Sequence, residues 1–300
     1  MAVFFEVRMI TVLTPTFNRK NELIKLYQSL VNQTSKDFEW LIVDDGSTDQ
    51  TPELIERFIN QGLLSVRYFR QDNAGKHSAL NAGFSNEENN EWIFIVDSDD
   101  MLVSDCIEVI LNEVRNLSSE YVSIRMLQIN NEGRLLGECF PNSFDSYFDL
   151  INSKLANDNA DIFRKNAIFN YRFPVFDGEK FMAESPLFLA IGHLGKTKFL
   201  NYKGYIAEYL PGGLTDSSVV SRHRYFNSTL YVYENKYIEN NLSYFERFKS
   251  GVNWWRFRLF KGRLMRSFSV PYFFMPFGFV LYLKDVFHGS VDLSACLRGD

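Results

Sequence analysis

The sequence has few of the residues that build disulfide frameworks and zinc sites. It contains three cysteines, Cys106, Cys139 and Cys296, and four histidines in 300 residues. The cysteines are odd in number, lie far apart and include no C-x-x-C pair. These features argue against a structural zinc ion or a disulfide scaffold, and favour reduced thiols in a cytosolic protein.

A long hydrophobic run is also missing. The longest, residues 268–283, has 16 residues and is broken by two prolines and a glycine, whereas a membrane-spanning helix needs roughly 18–20 residues. The N-terminus lacks the basic and apolar regions of a signal peptide. We therefore expect a cytoplasmic protein in which residues 268–283 lie at a membrane interface, enter it partway, or form a proline-broken part of the core.

Signatures of several common ligand-binding classes are absent. No G-x-x-x-x-G-K-[ST] loop occurs, which excludes a P-loop NTPase, and no G-x-G-x-x-G follows the first predicted strand, which disfavours a dinucleotide-dependent dehydrogenase. The net charge of −5 gives no reason to expect nucleic-acid binding.

The first hundred residues alternate short apolar strands with amphipathic helices. Apolar, β-branched runs predict strands at residues 10–14, 40–43, 66–69 and 92–96. Helical spacing of apolar residues predicts helices over residues 23–30, 51–59 and 78–84. This alternation predicts an α/β fold whose parallel sheet is covered by helices on both faces.

Polar clusters follow all four predicted strands. They are TPTFNR (14–19), DDGSTDQT (44–51), RQDNAGKHSALNAG (70–83) and DSDD (97–100). Open α/β sheets bind ligands at the carboxyl ends of their strands. Four polar clusters at that edge therefore predict one shared site.

Each cluster suggests its own chemistry. Asp97 and Asp99 are spaced i, i+2, so on extended chain their side chains lie on one side, roughly 6.5–7 Å apart, where they could share Mn²⁺ or Mg²⁺. Asp44 and Asp45 suit hydrogen bonds to a base or ribose, and Lys76 suits a phosphate. The alternatives are that DSDD caps a helix beginning near residue 104, and that residues 44–49 form an ordinary turn.

Together these motifs carry a resemblance to a known family. TVLTPTFNR, LIVDDGSTDQT, NAGKHSALNAG and IVDSDD, in this order and spacing, resemble the nucleotide-sugar half of a family 2 glycosyltransferase with the GT-A fold. The resemblance covers about residues 9–105 and implies an inverting, metal-dependent sugar transfer from a nucleoside diphosphate.

The resemblance also implies roles for single residues. It implies a base pocket lined by Thr14, Pro15 and Thr16. Asp45 would read the base and Lys76 would lie near the nucleotide. Asp99 would bind the metal directly, with Asp97 on the ribose or the metal and its water shell.

The general base is predicted in FDGEKFMAESPLFLAIG, residues 176–192. Many relatives have a Glu-Asp pair before a helix, whereas this stretch resembles a subset with a GEKF…E form. Aligned on the apolar residues that follow, Glu184 is the counterpart of the base, with Asp177 and Glu179 as alternatives. An ordinary helix N-terminus would also explain Glu184.

Two further residues follow residue 220. As in some relatives, Arg222 could close over the diphosphate, and His223 could complete the metal shell. A solvated basic loop is the alternative.

The C-terminal region is basic and aromatic. Residues 247–266 hold seven Lys and Arg and no acid, which leaves −12 for the rest of the chain against −5 overall. We predict a helix that begins near Trp254 and Trp255, has its apolar face at positions 257, 260, 264 and 268, and contacts an anionic membrane. A hairpin packed on the catalytic domain is the alternative; stacking on single-stranded nucleic acid fits poorly with the acidic remainder.

These observations combine into a three-part prediction. Residues 1–105 form the nucleotide-sugar half of a GT-A domain, residues 106–220 its acceptor half, and residues 221–300 a helical, membrane-associating extension with aromatic residues. The expected activity is transfer of a sugar, from a UDP-sugar, to a lipid-linked saccharide in bacterial surface-polysaccharide assembly at the cytoplasmic membrane face. The oligomeric state is left open.

Three other functions remain as alternatives. The acceptor could be a polyprenyl phosphate, whose anionic nucleophile needs no strong base. The chain could be a non-catalytic sugar- or nucleotide-binding module of the same fold. A sugar nucleotidyltransferase is weaker, because TPTFNR stands where its glycine-rich loop is expected.

Overall fold

The structure is a computed structural model that describes residues 9–153, 155, 159–208, 218–259 and 269–288. Within these residues the strands are β1 (Ile10–Thr16), β2 (Phe38–Asp44), β3 (Val66–Arg70), β4 (Trp92–Ile95), β5 (Met101–Leu102), β6 (Tyr121–Ile129), β7 (Asn159–Arg164) and β8 (Lys196–Ile206). The helices are α1 (Lys20–Val31), α2 (Thr51–Gln61), α3 (Lys76–Phe84), α4 (Cys106–Asn116), α5 (Tyr147–Ser153), α6 (Lys165–Ile168), α7 (Ser185–Leu194), α8 (Ser218–Arg224), α9 (Phe226–Ile238), α10 (Tyr244–Arg258) and α11 (Met275–Phe287).

The strands form one mostly parallel sheet in the order β3-β2-β1-β4-β7-β6-β8-β5. The first four strands in this order are parallel neighbours, and β6 is parallel to β8. β7 runs antiparallel between β4 and β6, and the short β5 runs antiparallel to β8. The predicted α/β class is confirmed.

Side chains alternate between two buried faces of β1. Val12 belongs to the main apolar cluster, which also contains the buried residues of α1, α2 and α4. Leu13 points the other way, where α3 packs so closely that a Cβ on Gly83 would lie 2.5 Å from Leu13 Cδ1. Because both faces of the sheet are covered by helices, the sequences of these strands are continuous apolar runs.

The chain divides into two compact units. The first comprises residues 1–172 and 191–208 and contains the whole sheet; the second comprises residues 173–190 and 209–300. The boundary predicted at residue 220 falls inside the second unit, which groups residues 173–190 with the C-terminal helices.

Aromatic residues build the core of the second unit. Phe226, Leu230, Trp254, Trp255 and Phe257 are buried together. α11 crosses α10 so closely at Gly278 that an added Cβ would meet Trp255 Cβ at 2.6 Å. The predicted helical, aromatic C-terminal region is therefore present.

The surface helix predicted to begin near Trp254 and Trp255 is wrong. α10 begins at Tyr244, and both Trp254 and Trp255 are buried, so they do not start a surface helix. Phe257, the first position of the predicted apolar face, is buried in the core of the second unit and so is not available to a membrane. Positions 260, 264 and 268 of that face lie outside the described residues. Among the helices that the structure describes, none is both long and apolar enough to cross a membrane.

Candidate active site

The acidic cluster that ends β4 holds charges with different partners. Asp97 forms a two-oxygen ion pair with Lys76, whose Nζ lies 2.8 Å from each carboxylate oxygen. Lys76 reaches it from the first residue of α3, after Gly75, which has a positive φ of 97°. The loop that follows β3 thus reaches the carboxyl end of β4, as predicted.

Asp99 is the least compensated of these acids. Its nearest basic group is Arg19, with Nη2 3.8 Å from Oδ2. Burial and the nearby charge of Asp97 raise the pKa of Asp99, and Arg19 only partly opposes that shift. A cation beside Asp99 would therefore be stabilised by a local excess of negative charge.

Asp100 anchors the loop to β8. It accepts hydrogen bonds from Tyr205 Oη at 2.6 Å and Glu208 N at 2.9 Å, while Asp97 N donates to Tyr205 Oη at 3.0 Å. Burial and the charge of Asp97 raise the pKa of Asp100 to about 7. Sequence reasoning missed Tyr205 because it lies 105 residues from Asp100 along the chain.

Asp45 organises the loop that precedes Lys76. Its Oδ1 accepts from Gln71 Nε2 and Ala74 N, and its Oδ2 accepts from Gly75 N at 2.7 Å. Asp44 accepts from Ser47 N and Tyr68 Oη, each at 2.8 Å. These bonds hold the second and third polar clusters together; contact between Asp45 and a base stays a prediction.

Close packing of these two loops requires Gly46. Its φ is +81°, and an added Cβ would lie 2.9 Å from Asn73 N. Glycine at position 46 is therefore needed for the approach of one loop to the other.

The end of β1 forms the neighbouring wall. Thr14 Oγ1 accepts from Trp40 Nε1 at 2.9 Å, and Thr16 O accepts from Asp45 N at 2.8 Å. Thr16 Oγ1 is buried without a hydrogen-bond partner among the described residues, and Pro15 lies between the two threonines. A buried hydroxyl of this kind is able to bind a ligand group.

The predicted base lies in the second unit. Glu184 is half-buried and directly precedes α7, where its carbonyl accepts from Leu187 N at 2.9 Å. Asp177 is exposed. Glu179 is buried, and its carboxylate accepts from Asn227 N and Ser228 N, each at 2.7 Å, so it stabilises the first turn of α9.

Arg222 and His223 lie on α8 of the second unit. Arg222 lines a small pocket there. His223 is buried, with Nε2 3.0 Å from Asp285 Oδ2, and Asp285 is also bound by Arg256. Burial lowers the pKa of His223. A metal-ligand role would have to use Nδ1 or release Asp285, and it stays a prediction.

Two carboxylates of the acidic loop suit a hard cation. Among the described residues, no group of three His, Cys, Asp or Glu side chains is arranged to hold a metal ion. Asp97 and Asp99 supply oxygen ligands, which Mg²⁺ and Mn²⁺ prefer, and Mg²⁺ in particular is often bound through one or two carboxylates plus phosphates and water. The donor set fits such an ion.

Comparisons with known proteins agree with this geometry. The sequence model of the family described as "Glycosyl transferase family 2" matches residues 11–173. The chain is 30% identical over 236 residues to the glycosyltransferase GlyA of Streptococcus pneumoniae, which covers 75% of this chain and 30% of GlyA. It is 29% identical over 125 residues to the poly(ribitol-phosphate) β-N-acetylglucosaminyltransferase TarS of Staphylococcus aureus, covering 41% of this chain and 22% of TarS. The chain thus spans less than a third of either relative.

Solved structures share the fold. TarS residues 1–349 in complex with UDP-GlcNAc superpose with a TM-score of 0.64 at 19% identity, covering 84% of this chain and 72% of that one. The mannosyltransferase PcManGT of Pyrobaculum calidifontis, in complex with GDP-Man and Mn²⁺, gives a TM-score of 0.56 at 15% identity, covering 96% and 78%. The predicted GT-A fold is confirmed.

Proposed function

Because this chain belongs to glycosyl transferase family 2, and is therefore a glycosyltransferase, we propose that it moves a sugar with inversion from a UDP-sugar to a lipid-linked saccharide in surface-polysaccharide synthesis. The observation that carries the proposal is the sheet edge itself. There Lys76, Asp97 and Asp99 converge with the loops that follow β1, β2 and β3.

The donor nucleotide would bind along this edge. Thr14, Pro15 and Thr16 would line the base pocket, and Asp45 would read the base. The buried hydroxyl of Thr16 supports this assignment, because its oxygen has no partner among the described residues. UDP is favoured over GDP because TarS, which forms a complex with UDP-GlcNAc, is also similar to this chain in sequence, at 29% identity over 125 residues. PcManGT, in complex with GDP-Man, is 15% identical.

The diphosphate carries charge that the site must offset. Lys76, now paired with Asp97, would exchange part of that contact for a phosphate oxygen. Asp99, with Asp97, would hold Mn²⁺ or Mg²⁺. When bound, such an ion supplies charge stabilisation to the departing diphosphate.

The acceptor hydroxyl would lose its proton to Glu184. The hydroxyl oxygen then attacks the anomeric carbon as the bond to the diphosphate breaks, which inverts the configuration. Glu179 is less suited to this role because its two oxygens accept three hydrogen bonds from Asn227 and Ser228.

A lipid-linked acceptor would require contact with the membrane. Exposed aromatic and aliphatic side chains lie along one stretch of the second unit, namely Tyr272, Phe273, Phe277, Phe279, Val280 and Phe287. We call this stretch the aromatic surface. The exposed Lys284 lies within it. Apolar and basic groups together suit the cytoplasmic face of an anionic membrane.

Release of the nucleoside diphosphate, UDP or GDP, from a panel of UDP- and GDP-sugars tests the donor assignment. We expect one UDP-sugar to be preferred, with activity abolished by EDTA and restored by Mn²⁺. Asp99→Asn should lower the rate by about 100-fold or more, because it removes a carboxylate ligand of the metal ion that would offset the charge of the diphosphate.

Asp37→Asn supplies the matched control for Asp99→Asn. It makes the same change at the amino end of β2, at the opposite edge of the sheet, and should leave the rate near wild type. Activity that persists in EDTA would contradict the metal assignment. A GDP-sugar preference would contradict the choice of UDP.

A further inference from the structure

The second unit contains a small pocket with a basic lining. Its volume is about 70 Å³, and it lies among residues 181–185 and helices α8 and α9. Arg222 and Lys236 line it, as does Ser228. Cationic and hydroxyl donors in a concave site are the groups that bind phosphate.

Carboxylates of the described residues do not neutralise these two cations. Within the described part of the chain, no carboxylate forms an ion pair with Arg222 or Lys236; Glu246, the acid with most influence on Lys236, lies 3.5 Å from Lys249. Burial lowers the pKa of Lys236, so its charge is poorly solvated. A bound anion would stabilise both charges.

The backbone around Arg222 is fixed by its neighbours. Thr229 Oγ1, in the first turn of α9, donates to Arg222 O at 2.9 Å. This bond joins α8 to α9 and fixes the backbone of Arg222 beside the first turn of α9, the helix that also carries Lys236. The arrangement is therefore built by the fold rather than by two mobile surface side chains.

Ser228 points independently to a ligand. It is 1% exposed, and its Oγ has no hydrogen-bond partner among the described residues. Glu179 is the nearby acid, but its carboxylate is bound to the backbone N–H groups of Asn227 and Ser228. The buried hydroxyl thus stays available to a ligand oxygen, and a buried hydroxyl without a partner costs free energy.

We propose that this pocket binds a phosphate group of the acceptor, so that the enzyme acts on acceptors with a phosphomonoester or phosphodiester near the accepting hydroxyl. The assignment rests on the proposed function. Ala183 and Ser185, the chain neighbours of Glu184, line the same pocket. A phosphate held there would lie beside the segment that carries the base.

The donor diphosphate is the other source of the same chemistry, and direct titration separates the two. Glycerol 1-phosphate, UDP and neutral glycerol are each titrated calorimetrically into the full chain without donor sugar. Arg222→Gln, Lys236→Gln and Ser228→Ala should each weaken glycerol 1-phosphate binding, by about tenfold for the two cations, since one charge-assisted hydrogen bond is lost. UDP binding should be unchanged, and glycerol should not bind.

Arg134→Gln is the matched control, because it removes one positive charge from an exposed side chain of the first unit. It should bind glycerol 1-phosphate like the wild type. Equal affinities in all variants would overturn the proposal. Weaker UDP binding with unchanged glycerol 1-phosphate binding would assign the pocket to the donor and overturn the acceptor assignment.

The titrations measure binding without turnover, so a failure of the pocket assignment can be told apart from a failure of the proposed function. If the wild type binds glycerol 1-phosphate but releases UDP from no donor, the proposed function fails while the pocket stands. Ser228→Ala keeps both cations and removes only an unpartnered hydroxyl, so it tests the pocket even if Arg222→Gln fails to fold. With an active donor, the cation variants should raise KM for a phosphate-bearing acceptor about tenfold and leave kcat near wild type.

Discussion

Residues 97–100 contain three aspartates, and their mutual repulsion is limited because each carboxylate has a different environment. Asp97 is offset by Lys76, and Asp100 is bound by Tyr205 and a backbone N–H. Asp99 lies 3.8 Å from the Arg19 guanidinium, yet its pKa is still raised by burial and by Asp97. Asp100 is thus held by hydrogen bonds within the fold, and the metal-binding role that we propose for this loop falls to Asp97 and Asp99.

Glu184→Gln tests the base. The amide cannot accept the proton, so kcat should fall by about 10²–10⁴-fold, the usual contribution of a general base. The affinity for UDP should be unchanged, because nucleotide binding is assigned to the sheet edge. Both quantities are measured by UDP release and by calorimetry.

Asp177→Asn makes the matching change seven residues earlier, on an exposed side chain, and should turn over at close to the wild-type rate. Near wild-type turnover of Glu184→Gln would contradict the assignment. It would favour an acceptor such as a polyprenyl phosphate, whose nucleophile is already anionic.

Sequence patterns predict the helices and strands whose apolar periodicity lies within a single run of consecutive residues. β1 to β4 and α1 to α3 were predicted because apolar periodicity is encoded in consecutive residues. The antiparallel insertion of β7 between β4 and β6 was not predicted. Strand order depends on contacts between residues far apart in sequence, which no local window contains.

The same reasoning explains what was predicted of the site. Polar clusters after parallel strands must share one edge, so convergence of Lys76 and Asp97 followed from topology alone. The attachment of Asp100 to Tyr205 and the pairing of His223 with Asp285 did not. Both join elements that only the folded chain brings together.

Helix α9 depends on an acid from another segment. Glu179 accepts hydrogen bonds from the first-turn N–H groups of α9, where a negative charge also favours the helix dipole. Glu179→Gln should destabilise the protein by about 1–3 kcal/mol, because the amide NH₂ faces an N–H donor. Urea denaturation measures the change, with Asp177→Asn as a control that leaves stability unaltered.

Glu179→Gln also distinguishes a structural role of Glu179 from a role as the general base. A loss of transfer by Glu179→Gln at unchanged stability would contradict the structural assignment and favour Glu179 as the base.

Across the whole molecule, charge and aromatic residues are unevenly distributed. The acids that would bind the donor lie in the first unit, which contains the sheet. The aromatic surface and the basic pocket lie in the second unit. On the proposed function, donor binding and acceptor or membrane recognition would be carried by separate compact parts of the chain, so variants in one should leave the function of the other measurable.

Membrane contact is tested on the aromatic surface. Phe273 and Phe287 are 65% and 84% exposed, so changing them removes apolar area without opening a core cavity. The double variant Phe273→Ser, Phe287→Ser should reduce flotation with anionic vesicles about tenfold or more, since burying one Phe contributes roughly 1.5–3 kcal/mol.

The double variant Ile59→Ser, Leu63→Ser removes exposed apolar area from α2 and its C-terminal end in the first unit, and should float like the wild type. Unchanged flotation of the Phe variant would contradict the role of the aromatic surface, and equal binding to neutral vesicles would contradict the role of lipid charge.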